Sequence, residues 1–255
     1  MELFQAEAEL NLILESVNFS KKDFLLDKTL SDEKTHKINE LINIRTEKRI
    51  PIQYLLGYGY FMGEKFYVDP SVLIPRPETE LLVQKVAELN GKTILDIGTG
   101  SGCIAIMLKK LSDKTVTAID ISEKALETAQ KNAKNLSADV NFIHSDLFSN
   151  IEQKFDIIVS NPPYIPKSTM PEMQQEIKEH EPHLALFTKD AEGVEFYKKI
   201  IEQSQKHLKE NGYLAFEIGI GQHKIISQIL EQNDFKDIKI IKDFAQIERI
   251  VIAKK

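Results

Sequence analysis

The chain has 255 residues, 42% of them apolar and 28% charged, with a formal net charge of −6 at pH 7. This length fits one full α/β domain with a small accessory domain, and the apolar share excludes a disordered chain. The acidic balance opposes any function that rests on tracking nucleic-acid phosphates, and no apolar run approaches the roughly 20 residues of a membrane span.

The first fifty residues read as helical. Leu3, Ala6, Leu10, Ile13 and Val17 recur at three-to-four spacing and form one apolar stripe. Glu2, Glu7, Glu9 and Glu15 replace the basic-then-apolar layout of a signal peptide. A single cysteine, Cys103, excludes an intrachain disulfide and a Cys-based zinc cluster. A reduced, soluble, cytoplasmic protein is expected. A second helix opens at Ser31, an N-cap followed by Asp32 and Glu33, with Ile38, Leu41, Ile42 and Ile44 as its apolar positions. Lys48 and Arg49 sit at its negative end and Pro51 stops it. Residues 1–52 carry no catalytic-looking cluster and are read as a helical docking domain.

Residues 53–77 form a hairpin and linker. Gly57, Gly59 and Gly63 punctuate Tyr58, Tyr60, Phe61, Phe66 and Tyr67, which predicts a β-hairpin turning near Gly63-Glu64. Asp69-Pro70 and Pro75-Arg76-Pro77 mark the linker, and Pro77 is placed to open a helix over 78–89.

From residue 92 the pattern alternates between strand and helix. Strands are predicted at 93–96, 115–120, 141–146, 155–160 and 212–218, with helices at 101–111 and 122–135. The run Phe155-Asp156-Ile157-Ile158-Val159 fits a sheet covered on both faces. Two last strands, 237–243 and 248–253, lie too close for a crossover and should pair antiparallel. The expected fold of residues 78–255 is therefore α/β: a Rossmann-like parallel sheet with an antiparallel C-terminal hairpin. That is the arrangement of the class I S-adenosylmethionine methyltransferases.

The first strand of this sheet runs into Asp96-Ile97-Gly98-Thr99-Gly100-Ser101-Gly102. Three alternate glycines at a strand-to-helix turn let backbone approach a ligand closely and aim amide N–H groups at an anion. A dinucleotide fingerprint would put its third glycine at 103, where cysteine stands, so NAD is disfavoured. Asp120 ends the second strand, placed to accept both hydroxyls of a ribose, which identifies a nucleoside rather than a reaction. Asp146, at the end of the third strand, sits where an adenine amino group would lie.

Asn161-Pro162-Pro163-Tyr164, directly after the strand at 155–160, is the most specific signal. Two prolines hold the loop extended and cannot donate hydrogen bonds. An amide NH2 group has two protons in its plane. The Asn161 side-chain oxygen and the Pro162 carbonyl can accept one each, while Tyr164 stacks on the planar face. An amide nitrogen is a poor nucleophile because its lone pair is delocalised. Two acceptors pulling on its protons raise its electron density and aim the lone pair, and orientation alone is worth up to roughly 7–11 kcal/mol.

With both motifs read, the sequence resembles the protein-(glutamine-N5) methyltransferases that act on peptide chain release factors. The resemblance rests on Ile74-Pro75-Arg76-Pro77-Glu78-Thr79-Glu80, the run 96–102, Ser145-Asp146, and Asn161 to Tyr164 followed by Ile165. It continues in Glu181-Pro182 with Ala185-Leu186, and in Glu217, Gly219 and Gln222. It implies S-adenosylmethionine as cofactor, with S-adenosylhomocysteine as product. Gly98, Thr99, Gly100, Ser101, Gly102, Asp120, Asp146, Leu147 and Asn161 would contact the cofactor. Asn161, Pro162, Pro163 and Tyr164 would hold the target glutamine of a Gly-Gly-Gln loop. The helical domain would help grip the release factor. Leu147 departs from the aromatic residue that some members carry against adenine, and no site is drawn from 188–193, which lacks an expected glycine pair. If the linker folds back over the sheet, Arg76, Glu78, Thr79 and Glu80 lie over the methionine end of the cofactor.

His180 and His183 flank Glu181-Pro182 without a third ligand, so no metal is expected, and His144 is read as packed or exposed. The alternative within the same class is an adenine-N6 methyltransferase acting on a flipped base, which needs a basic cleft and a recognition domain. A nicotinamide oxidoreductase and a non-catalytic partner subunit fit less well, the latter because glycines, Asn161 and Tyr164 are all intact.

Overall fold

The structure is a computed structural model that describes residues 2–26 and 28–255. Four helices come first: α1 (Glu2–Ser16), α2 (Lys21–Leu25), α3 (Asp32–Lys48) and α4 (Ile52–Leu56). Ser31 caps α3, its side chain accepting from the Lys34 amide at 3.4 Å, and Arg49 ends the helix in the left-handed region at φ 56°. Ile13, Val17, Phe19, Ile38 and Ile52 form a small buried cluster, with Leu41 and Ile42 packed against it. The apolar stripe of α1 is shorter than its periodicity predicts. Ala6 and Leu10 are exposed whereas Ile13 and Val17 are buried, and the Leu3 side chain lies outside the described residues.

The hairpin pairs β1 (Tyr58–Phe61) with β2 (Glu64–Tyr67), and Phe61 stands opposite Glu64. The turn is therefore Met62-Gly63, one residue earlier than expected. Both residues have positive φ, the geometry that matches the strands' own twist. Three contacts fix the hairpin to the main body. Phe61 and Phe66 are buried in the larger core, Glu80 accepts from the Met62 amide at 2.7 Å, and buried Asn132 exchanges hydrogen bonds with the Tyr67 backbone.

After the linker come α5 (Pro77–Ala87), β3 (Thr93–Ile97), α6 (Cys103–Leu111), β4 (Thr115–Asp120), α7 (Glu123–Asn135), β5 (Val140–His144) and β6 (Phe155–Ser160). A short strand β7 (Ile165–Pro166), a 3-10 turn (Lys167–Glu172), α8 (Gln175–His180), α9 (His183–Leu186) and β8 (Phe187–Thr188) follow. The chain ends with α10 (Glu195–His207), β9 (Leu208–Glu217), α11 (His223–Gln232), β10 (Lys236–Lys242) and β11 (Glu248–Lys254).

Seven strands form one sheet in the order β10-β11-β9-β6-β3-β4-β5. The four pairings that join β9, β6, β3, β4 and β5 are parallel, whereas β11 runs antiparallel to both β9 and β10. Ile94 feeds one core and Leu95 and Ile97 the other, so both faces are covered as the apolar strands predict. Several boundaries shift by one to four residues from expectation, and two of the shifts are instructive. β5 stops at His144, leaving Asp146 in the loop beyond it, and β9 starts at Leu208, ahead of the predicted Gly212. The chain leaves central β3 toward β4 and β5, then returns past it to β6. That reversal opens a crevice at the strands' carboxyl ends, where α/β sheets place ligands. Among the described residues no helix is long and apolar enough to cross a membrane.

Candidate active site

A cavity of about 1050 Å³ opens at this crevice. Gly98 to Ser101, Asp120, Ser145 to Leu147, and Asn161 to Pro163 form its floor and walls, the linker from Asp69 to Arg76 covers it, and Pro182 to Ala185 close the far rim. The linker thus folds back over the sheet. Arg76 and Thr79 line the cavity. Glu80 instead braces the hairpin turn.

The glycine loop owes its shape to three positive φ angles, 71° at Gly98, 55° at Gly100 and 82° at Gly102. A methyl group added at Gly98 or Gly100 meets open space, so these two let backbone come up against a ligand. One added at Gly102 meets Ile106 at 3.0 Å and Ala129 at 3.1 Å, so this glycine serves helix packing. The loop is not the anion cradle that its glycines predict. Gly98 and Thr99 both donate to the Ile119 carbonyl, Gly100 to the Asp120 carboxylate and Gly102 to the Thr99 carbonyl. Those amides are already used within the fold, which suits a ligand without phosphates.

Asp120 is nearly buried, and burial raises its pKa. Each of its carboxylate oxygens accepts one amide, Gly100 on Oδ2 and Ser122 on Oδ1, both at 2.9 Å. A carboxylate oxygen has a second lone pair, so both remain able to accept from a vicinal diol. Asp146 is exposed on the wall. Leu147, in the left-handed region at φ 48°, lines the cavity and packs against the core behind it. Asp96 is fully buried beneath the loop and takes the Thr99 hydroxyl at 2.6 Å. Burial, and secondarily the neighbouring Asp120 charge, push its pKa up to about 7.

Asn161, Pro162 and Pro163 face the cavity, whereas Tyr164 does not line it. The Tyr164 ring packs partly buried against the core, and burial raises its hydroxyl pKa to about 12. Its backbone carbonyl accepts from Gln222 Nε2 at 3.1 Å. The same nitrogen donates to the Glu192 and Gly193 carbonyls, while Gln222 Oε1 accepts from the Gly219 amide. Gln222 therefore latches the diproline corner to two neighbouring loops. Gly193 is needed there, since a methyl group on it would lie 2.1 Å from the Tyr164 carbonyl oxygen.

Three further interactions join residues whose contact with one another the motif reading did not foresee. Thr79 Oγ1 donates to Glu217 Oε2 at 2.6 Å, and Asn161 Nδ2 donates to Thr79 Oγ1 at 3.3 Å. Arg76 pairs with Glu181. Each partner stands in a quoted motif, but sequence separations of 82 to 138 residues hide the contacts. His180 and His183 hold their Nε2 atoms against the Lys48 and Lys178 carbonyls, and His144 Nε2 lies 2.9 Å from the Ile121 carbonyl. Cys103 is buried at the start of α6, and burial pushes its thiol up to about 12.

Comparison with known proteins supplies the family. The Methyltransferase small domain family matches residues 77–184. The release factor glutamine methyltransferase of Flavobacterium psychrophilum is 41% identical over 259 residues, spanning 97% of this chain and 91% of the relative. That of Fusobacterium nucleatum is 42% identical over 247 residues, 94% of this chain and 70% of the relative. The crystal structure of a methyltransferase from Pyrococcus furiosus superposes with a TM-score of 0.62 at 22% identity, covering 85% of this chain and 98% of that one, which speaks to the fold. The chain belongs to the release factor glutamine methyltransferase family and is an S-adenosylmethionine-dependent enzyme.

Proposed function

We propose that this enzyme methylates the side-chain amide nitrogen of the glutamine in the Gly-Gly-Gln motif of peptide chain release factors. The observation that carries the reading is that Asn161 and Pro162 line the cavity beside the glycine loop, at the ends of the paired strands β6 and β3, with the Asn161 NH2 group turned onto Thr79. The names borne by relatives near 40% identity support the same substrate.

In this account Gly98 and Gly100 give close backbone approach, Asp120 accepts the ribose hydroxyls, Asp146 accepts from the adenine amino group, and Leu147 lies against the base. Bound there, S-adenosylmethionine supplies a methyl group activated on a positively charged sulfur. Asn161 Oδ1 and the Pro162 carbonyl accept the two protons of the target amide, which fixes its plane and concentrates electron density on nitrogen. Pro163 keeps the corner extended. Tyr164 steadies that corner from behind, through its core-packed ring and the Gln222 latch. No strong base is needed, because a methylated cationic amide gives up its proton to water. The roof made by the linker limits solvent access while the groups are aligned.

Residues 1–52 act as the docking element of the protein substrate. Supporting this, α3 touches the segment that follows the diproline corner: Arg45 and Arg49 each reach Glu176 at 3.2 Å, and His180 meets the Lys48 carbonyl. Unchanged affinity for a release factor after deletion of residues 1–50 refutes that role.

The test is incubation with isotopically labelled S-adenosylmethionine and a purified release factor, followed by mass-spectrometric mapping. Label on the Gly-Gly-Gln glutamine is expected, and an adenine-containing oligonucleotide in the same reaction should stay unlabelled. Label on the oligonucleotide alone, or on another residue, overturns the reading.

A further inference from the structure

We propose that Thr79 and Glu217 are positioning residues that set which way round the Asn161 side-chain amide stands, turning its oxygen toward the cavity. The inference rests on the amide-clamp reading above and adds two residues to it.

The topology brings the three side chains together. Asn161 follows β6 and Glu217 ends β9, and these are adjacent parallel strands with Ser160 beside Phe216. Thr79 comes down on both from the first turn of α5. Thr79 and Glu217 are each 3% exposed, so solvent offers neither group a substitute partner.

Proton counting then fixes the polarity. A hydroxyl has one proton, and that of Thr79 is committed to Glu217 Oε2 at 2.6 Å. Toward Asn161, Thr79 Oγ1 can therefore only accept. The ionised Glu217 carboxylate is likewise an acceptor, and its proton affinity is also held down by the Asn161 amide. Two acceptors on one side leave the Asn161 amide a single orientation, with Nδ2 donating to Thr79 at 3.3 Å and Oδ1 pointing away from the pair. Turned the other way, the Asn161 carbonyl would face two oxygens, and its NH2 group would meet the NH2 group of the substrate. A half-buried amide in that state meets a like group at each end, with neither its carbonyl nor its NH2 paired to a complementary partner.

Glu217 is also where this orientation meets pH. The charged or titratable groups facing it are Glu78 on α5, Arg249 on β11, Tyr197 on α10, Tyr164 after the corner and Cys103 on α6. Burial is the largest influence, and it raises Glu217 to about 7. Once protonated, Glu217 donates to Thr79 Oγ1. The threonine hydroxyl is then released to donate to Asn161, and the preference for one amide orientation is lost.

The experiment uses the full chain with Thr79→Val, Thr79→Ser and Glu217→Gln, each checked by thermal melting. Thr79→Val should lower kcat on release factor about 100-fold, the scale of a misplaced reacting group, with the cofactor Kd within about twofold of the parent. Thr79→Ser keeps the hydroxyl and should restore kcat to within about threefold. In the parent, kcat should rise through pH 7, and Glu217→Gln should remove that limb. Independently of any substrate, the Asn161 side-chain NH2 resonance in 15N-labelled protein should titrate with a midpoint near 7 in the parent and not in Glu217→Gln. Folded Thr79→Val with kcat within about threefold of the parent, or an Asn161 resonance indifferent to both substitutions, overturns the inference. A titrating resonance in an enzyme that leaves release-factor glutamine unmethylated upholds the positioning and refutes the substrate.

Discussion

Arg76 Nη2 donates to Glu181 Oε1 at 2.5 Å, joining the linker ahead of α5 to the segment that follows the diproline corner. The two residues are 105 positions apart, and their pairing holds the roof of the cavity to its rim. The Glu181 side chain is 2% exposed, and burial raises its pKa even though the guanidinium opposes the rise. Arg76→Ala leaves that carboxylate buried without its cation. Breaking such a pair costs on the order of 3 kcal/mol, measurable as a lower midpoint in denaturant unfolding. Glu181→Gln should cost less, because it removes the buried charge along with the pair. Equal losses for the two substitutions contradict this description.

The three loop glycines should separate by function. Gly98→Ala carries the strain of a left-handed residue, about 1–2 kcal/mol, and places a methyl group in the open space beside the cavity. Its main effect should be weaker S-adenosylmethionine binding, read by calorimetry. Gly102→Ala adds contacts at 3.0 and 3.1 Å to the same strain, so its main effect should be a lower melting temperature. A Gly98 variant that binds cofactor like the parent removes the loop from the binding account.

Gly193→Ala tests the latch behind the corner. The added carbon lies 2.1 Å from the Tyr164 carbonyl and 2.6 Å from Gln222 Nε2, both within the network that holds the diproline loop. Turnover on release factor should fall about 100-fold, with cofactor affinity little changed. Retention of parental kcat shows that the latch does not govern the clamp.

Two buried carboxyls predict the pH dependence of stability. Asp96 and Glu217 both have folded pKa values near 7, raised from the ordinary carboxylate range chiefly by burial. The folded state therefore holds protons that the unfolded chain has already lost. Their contribution is fully present at acidic pH below the unfolded values, declines as pH rises, and is gone above about 7. Melting temperature, corrected for other titrations by comparison with Asp96→Asn and Glu217→Gln, should fall less steeply between about pH 5 and 8 in each variant than in the parent. A variant with the parental slope removes its residue from the explanation.

The parallel sheet was legible because its strands are short apolar runs separated by amphipathic helices, and β4 and β6 begin and end where the pattern predicts. Boundaries drifted where the pattern is weak. β9 begins with Leu208-Lys209-Glu210-Asn211, a polar stretch that reads as a turn yet joins the sheet through Leu208 beside Phe155. The stripe of α1 over-reached because periodicity shows which face is apolar, not how far along the helix a partner extends. In the site, Asp120 and the diproline corner stand at strand ends and could be placed from local sequence. The amide directions in the glycine loop could not, since the Ile119 carbonyl that takes two of them belongs to the next strand. Thr79, Glu217 and Asn161 come from three separate elements, so their contact exists only once the sheet and α5 have assembled.

The central claim is that Asn161 grips the target amide, and Asn161→Ala measures it most directly. Single-turnover transfer to release factor and S-adenosylmethionine binding should be recorded on the same preparation. The account predicts that methyl transfer is abolished while cofactor affinity stays close to that of the parent. Near-parental transfer by the alanine variant contradicts it.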